Sequence, residues 1–229
     1  MAAESKATRS DGVYIALRAA ILAGRRPPGA RLKFSELSAT FDASVTVIRE
    51  ALTRLTAEGL ATAEPQRGYA VTELSTERLG ELTDARLELE GLVFARAVAE
   101  GDLQWESQLV AAHHRLENTA FLSSEEPIRI TDEWVDAHAR FHDALLEGCG
   151  NRRLYQMAIG LRREAELYRR WSQPLGSEKD RDLAGEHRRL LELALARDVN
   201  GARMALCEHI SHTTRLLLDV TGSLTRSDP

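Results

Sequence analysis

From Ser75 to Val220 the sequence gives a helix almost no reason to stop. Breaks fall at Gly101, in SSEEP (123–127), from Gly148 to Asn151, in QPLG (173–176) and from Asp198 to Gly201. Between them apolar residues recur every three or four positions, the period of one helix face. The spacing predicts six helices, over 75–100, 103–118, 127–149, 152–171, 179–197 and 199–220. Helices this long joined by links this short fold back on one another, so an antiparallel all-helical bundle is expected.

Composition agrees with a mainly α chain. Aromatic residues are scarce at 5%, and strings of Ala, Leu, Arg and Glu favour helix over strand. No apolar run approaches the roughly 18 residues that span a bilayer, and the opening MAAESKATRS has no apolar signal core. A cytoplasmic protein with no membrane partner is expected. Cys149 and Cys207 form no disulfide framework and no C-x-x-C pair. The net charge of −5 is unevenly spread. Residues 1–74 carry 10 basic and 8 acidic side chains, whereas the remainder carries 20 and 27. A slightly positive start on an acidic body hints at local nucleic-acid contact.

The first 74 residues have a different texture. Residues 1–10 are polar and read as a tail. From Asp11, Val13, Leu17, Ala20 and Ile21 fall at helical spacing up to Gly24, and RRPPG follows as a loop no helix crosses. Phe34, Leu37 and Phe41 mark a short second helix. Ser44 is placed to cap a third, with Ile48, Ala51, Leu52 and Leu55 as its buried stripe and Gly59 as its stop. LATAE and YAVTE around PQRG read as a β-hairpin. Three helices and a hairpin outline a winged helix-turn-helix. Thr46 and Arg49 face away from the stripe near the start of the third helix, the part of a recognition helix that reaches base edges. The Arg49 fork suits guanine O6 and N7, or a phosphate, and the backbone amides at that helix start suit a phosphate as well. Arg67 and Gly68 lie at the hairpin tip, where a wing approaches the DNA backbone. On pattern alone, a merely solvated Arg49 is an equal reading.

The segment PPGARLKFSELSATFDASVTVIREALTRLTAEGLATAEPQRGYAV resembles the DNA-binding domain of the GntR family of bacterial transcription regulators. PPG, the spaced L…EL, S-x-T-x-I-R-E-A-L, L-x-x-E-G-L and the R-G wing stand in family order. The resemblance implies that Ser44, Thr46 and Arg49 lie against DNA, with Arg67 and Gly68 in the wing. One departure is Val45, where the family often has a DNA-reading arginine. A valine there can at most touch a thymine methyl.

All seven histidines lie beyond residue 74. In the last helix His209 falls in the apolar series Ala202, Leu206, Thr213, Leu216, Val220. His187 lies in the stripe Leu183, Leu190, Ala194. His138 and His142, in HARFH, accompany Trp134, Phe141, Leu145 and Cys149. His114 and His212 read as peripheral, and His113 fits either side. His187 and His209 stand 11 residues to either side of Asp198. In a helical hairpin that places them at one level, roughly 16 Å from the turn at 1.5 Å per residue. One buried histidine is usually a satisfied core residue; three or four converging ones point to a metal, because an apolar core cannot partner several imidazoles. Arg86 is a second misfit, in series with Leu79, Leu82, Leu89 and Val93. It needs an anion, either Glu90 one turn on or the carboxylate of a ligand.

From about Leu79 to Val220 the chain resembles the helical effector-binding module of the FadR-type GntR regulators, the FCD domain. The resemblance rests on R-L-E-L-E at 86–90, F-H-x-x-L-x-x-x-x-x-N at 141–151, E-H-R-x-L at 186–190, A-x-x-R-D at 194–198 and the E-H of 208–209. It implies His142, His187 and His209 as metal ligands, with position 138 as the fourth. Here His138 stands where Asp is usual, so either an all-histidine site or a His138 turned away in favour of water is expected; Asp136 is about 160° out of phase on the helix. The expected cofactor is a divalent transition metal, zinc foremost, with nickel, iron or manganese as alternatives.

The fold class expected is therefore mainly α. Residues 1–10 form a tail, 11–74 a winged helix-turn-helix, 75–222 a helical effector-binding domain and 223–229 a second tail. The expected function is a ligand-responsive regulator, acting as a repressor and homodimer on double-stranded operator DNA. Its effector would be a small organic acid bound near the metal, with Arg86 as its clamp. A metal-sensing regulator is the alternative. A metallohydrolase fits less well: Ala139 stands where H-E-x-x-H would carry its acid, and Glu186 points about 100° from His187 on the helix.

Overall fold

The computed structural model describes residues 9–22, 25–64, 67–73, 75–124, 130–172 and 181–224. They fall into two compact units. One is built on the residues up to Arg78 together with Arg163–Ser172; the other holds Leu79–Arg162 and the described residues from Arg181 on.

The first unit contains α1 (Arg9–Leu22), α2 (Phe34–Phe41), α3 (Val45–Ala57), β1 (Ala61–Glu64) and β2 (Gly68–Val71). Helix α1 starts inside the stretch read as a tail. Ser10 is buried against the unit, and Arg9 donates to the Asp42 carboxylate at 3.0 Å, so tertiary contacts extend a helix its polar composition would not. Asp42 ends α2 in the left-handed conformation (φ 46°), and its N–H returns to the Ser38 carbonyl. Two residues on, Ser44 opens α3, its side chain accepting from the Val47 N–H at 3.4 Å. Ile48, Ala51, Leu52 and Leu55 are fully buried and pack with Leu17, Ile21 and Leu37.

Strands β1 and β2 pair antiparallel, Ala61 opposite Val71 and Glu64 opposite Gly68. The chain after PPG adds a third edge that the hydrophobic pattern does not announce. Arg31 bridges Ala70, and the Leu32 N–H donates to the Tyr69 carbonyl at 2.8 Å.

The helices that follow are α4 (Thr76–Glu100), α5 (Leu103–Glu117), α6 (Asp132–Glu147), α7 (Arg152–Ser172), α8 (Leu183–Leu195) and α9 (Val199–Leu224). Helix α4 starts one residue later than the sequence reading, and two starts differ by more. Helix α6 begins at Asp132 rather than 127, because Thr131 caps it by accepting from the Trp134 N–H while Ile130 bridges Leu122. Helix α8 begins at Leu183 rather than 179, capped by Asp182 accepting from Gly185. Residues 127–129, 179 and 180 of those expectations lie outside the described residues, as does Gly24 at the expected end of α1. Helix α9 runs four residues past the expected end.

Within the second unit α5 packs on α6 and α8, and α8 on α9. Helices α4 and α9 come close at Gly91, where an added Cβ would stand 3.1 Å from the Cys207 Sγ. A buried hydrogen bond between the Thr83 and Thr214 hydroxyls, 2.9 Å long, joins the same two helices.

Because α3 is held by its stripe, Leu52→Ala should lower the stability of the first unit by about 2–5 kcal/mol through the cavity it leaves. Chemical denaturation followed by circular dichroism measures this, and a loss well under 1 kcal/mol contradicts the packing described.

Candidate functional site

Two faces of the molecule carry functional chemistry. On the first unit, Ser44, Thr46 and Arg49 lie exposed on the cap and opening turns of α3. The Arg49 guanidinium rests 4.9 Å over the Phe34 ring, which pre-orders a long side chain while its fork stays in solvent. Val45, also exposed at 48%, leaves the leading edge of α3 without a hydrogen-bond donor at that position. Arg67 is exposed beside the hairpin turn, and Gly68 has φ 92°, a left-handed value that disfavours a side chain there.

In the second unit α6, α8 and α9 bring four imidazoles together. His138 and His142 come from α6, His187 from α8 and His209 from α9, and none is more than 9% exposed. One nitrogen from each lies within 4.8 Å of the other three. The Nε2 atoms of His142 and His187 are 3.3 Å apart. Zinc with bonds of 2.0–2.1 Å holds its tetrahedral nitrogens about 3.4 Å apart, so this pair already has the right spacing. His138 does not turn away: its ring lies 4.5 Å from that of His142 and stacks on Trp134 at 4.8 Å. Asp136 is exposed and absent from the cluster.

Electrostatics favour the neutral form, the one that ligates metal, at His142, His187 and His209. Burial pushes His142 and His187 well below the ordinary value, and neighbouring histidine and arginine charges act in the same direction. Burial also lowers His209, although its hydrogen bond to Glu186 opposes this. His209 Nδ1 and a Glu186 carboxylate oxygen are 2.7 Å apart, so Nδ1 carries the proton and donates it, leaving Nε2 for a metal. Burial raises the Glu186 pKa, but hydrogen bonds from His209 and Arg181 outweigh it and hold the carboxyl far below its usual range.

Sequence reasoning passed over this role of Glu186. Its direction relative to His187 is clear from helical phase, but the histidine it serves is on the next helix. Arg181 was missed too, since it precedes α8 and belongs to no periodic stripe. Its side chain is 3% exposed and donates to Glu186 at 2.6 and 2.9 Å and to the Thr213 hydroxyl at 3.1 Å.

Arg86 takes the structural partner. Its Nε donates to Glu90 at 2.6 Å, and Arg162 stands 3.9 Å from the same carboxylate while donating to Asp143 at 3.1 Å. Glu90 is 1% exposed, so two guanidinium groups on α4 and α7 neutralise one buried acid. Both arginines act on the cluster: the charge of Arg86 lowers His209, and that of Arg162 lowers His142. His114 is exposed, whereas His113 is buried edge-on to Phe141 at 5.3 Å. His212 reaches Glu186 from the outer side at 3.3 Å.

Comparison with known proteins matches both halves. Residues 9–71 match the bacterial regulatory proteins of the gntR family, and residues 81–212 match the FCD domain. The chain belongs to the gntR family and carries an FCD domain. The HTH-type transcriptional repressor GlaR of Escherichia coli is 34% identical over 206 residues, covering 89% of this chain and 92% of that protein. The HTH-type transcriptional regulator BphR of Paraburkholderia xenovorans is 31% identical over 200 residues, 87% and 81% of the two chains. The fold is shared with E. coli McbR/YncC, at TM-score 0.70 and 23% identity over 93% of this chain and 99% of that one. This protein is a DNA-binding transcription regulator rather than an enzyme. Among its described residues no helix is long and apolar enough to cross a membrane.

The lowered imidazoles set a pH dependence. A histidine whose folded pKa lies below its unfolded value of about 6.5 binds fewer protons folded than unfolded just beneath that value. Its stabilisation is present in full above 6.5 and is lost as pH falls. Chelated protein should therefore become easier to denature with urea on going from pH 7 to pH 5, and a flat or rising profile contradicts the buried neutral cluster.

Proposed function

We propose that this regulator is a ligand-responsive repressor. Its first unit reads a two-fold operator as one half of a homodimer in the cytoplasm. Its helical unit holds a divalent transition metal, zinc foremost, on His138, His142, His187 and His209, with nickel, iron and manganese as alternatives. The observation that carries the metal is the convergence of four buried imidazoles from three helices. The ion would supply the positive charge the cluster lacks and draw a small carboxylate effector to its neighbourhood. Arg86, on the α4 side and paired with Glu90, would be the clamp for that acid. Binding shifts the arrangement of the helices and, through it, the population able to grip DNA.

A second reading, in which the metal itself is the signal, is favoured by the donor set. Four protein nitrogens can close a tetrahedral shell as structural sites do. The two readings separate in one experiment. DNA selected from a random pool is used to measure affinity with chelated protein, zinc-loaded protein, and zinc-loaded protein plus small carboxylates. Affinity that changes with carboxylate at constant bound zinc supports the repressor reading; affinity that follows zinc alone supports the metal sensor. Metal analysis of dialysed protein finding no divalent transition metal would sink both.

For the DNA face, Arg49→Ala should weaken binding of the selected sequence by about 1–3 kcal/mol, and Arg67→Ala should flatten the salt dependence. Unchanged affinity for Arg49→Ala across salt concentrations refutes the assignment of α3.

A further inference from the structure

Beside the histidine cluster lies a cavity of about 420 Å³, between the end of α5, the start of α6 and the start of α8. Leu116, Phe121, Trp134 and Leu183 give it an apolar wall, and Arg181 and His187 give it a polar end. The Phe121 and Trp134 rings meet edge to face at 4.7 Å, and Trp134 in turn stacks on His138. An apolar cavity of about 150 Å³ is enough to hold benzene, so this one has room for an aromatic ring with a short acid chain. The two acids on its lining are already engaged. Glu117 accepts from Arg188 at 2.7 Å, and Asp182 accepts from the Gly185 N–H at 2.8 Å.

His187 gives the cavity its chemistry. Its Nε2 is committed to the cluster, 3.3 Å from that of His142. Among the described residues nothing hydrogen-bonds its Nδ1, although the side chain is only 3% exposed. His209, by contrast, has its Nδ1 held by Glu186. One ligand imidazole has a protein carboxylate behind it; the other has a cavity.

We propose that this cavity binds an aryl carboxylate, which accepts the Nδ1–H of His187 and packs its ring against Phe121 and Trp134. The proposal rests on the metal-and-effector reading above and deepens it. The bound acid does for His187 what Glu186 does for His209: it fixes the tautomer and raises the basicity of the ligating nitrogen. A ligand acting through His187 needs no open position on the ion, so it is compatible with a shell filled by four imidazoles. It also couples acid to metal. Without metal the proton of a neutral His187 can sit on either ring nitrogen, and Nδ1 offers a lone pair whenever Nε2 holds it. Metal on Nε2 leaves the proton on Nδ1, and the ring becomes a donor. Each ligand therefore tightens the other by the same factor.

The test is titration calorimetry of the full chain, zinc-loaded and chelated, with 3-phenylpropanoate, its carboxamide, acetate and glutarate, alongside metal analysis. Zinc should tighten 3-phenylpropanoate by about tenfold or more, the scale of a carboxylate supporting a metal-bound histidine. The carboxamide, lacking the charge, and the two acids lacking a ring should bind more weakly. Phe121→Ala should weaken 3-phenylpropanoate by removing its wall. Ala184→Leu, from an exposed position on the lining, should weaken it by filling the space without deleting a contact. Zinc uptake with stronger binding of acetate or glutarate, equal 3-phenylpropanoate affinity with and without zinc, or indifference to both substitutions overturns the proposal and leaves the metal reading standing. A chain that takes up no zinc overturns both.

Discussion

An imidazole removed from water must satisfy two ring nitrogens, and the helical unit removes four such rings together at one level of its core. Much of that unit follows from this. Burial suppresses protonation, so the rings cannot repel one another as cations, and their lone pairs turn inward on a common point. Phe141 and Trp134 pack edge-on and face-on against the rings, which keeps water out and leaves the nitrogens few partners besides one another and Glu186. Such a cluster is costly as a packing device and useful as a binding one.

The charges around it are arranged as small closed sets. Glu90 sits between Arg86 and Arg162, and Glu186 between Arg181 and His209. Each of these two acids is neutralised locally. The surface proposed to read DNA follows the opposite rule. There Thr46, Arg49 and Arg67 are exposed, and the Phe34 ring lies beneath Arg49.

Much of this was legible in the sequence. Helical period picked out the α3 stripe and the inward faces of α6, α8 and α9, and symmetry about Asp198 put His187 and His209 at one depth, where their rings lie 5.1 Å apart. Helix starts were read less well. Thr131 and Asp182 set the starts of α6 and α8 through single side-chain caps, which leave little trace in an apolar pattern. In α9 the buried side is carried by Ile210, Thr214 and Leu217 more than by Thr213 and Leu216, because neighbouring helices cover a broader stripe than one row of the helix. Arg86 was recognised as a misfit, yet pattern could not choose between Glu90 and a ligand as its anion.

By itself the sequence determined which residues face inward, because helical phase is a local property of spacing. It likewise carried the winged helix-turn-helix, whose caps, stripe and turn glycine all lie within a few residues of one another. What lay across helices was decided only by the tertiary structure. Glu186 turned out to serve His209, Arg181 to brace Glu186, and His187 to border a cavity walled by Phe121 and Trp134. Those partnerships join side chains 5 to 66 positions apart in the sequence. No period connects them; they exist because the packing of α5, α6, α8 and α9 brings these side chains together.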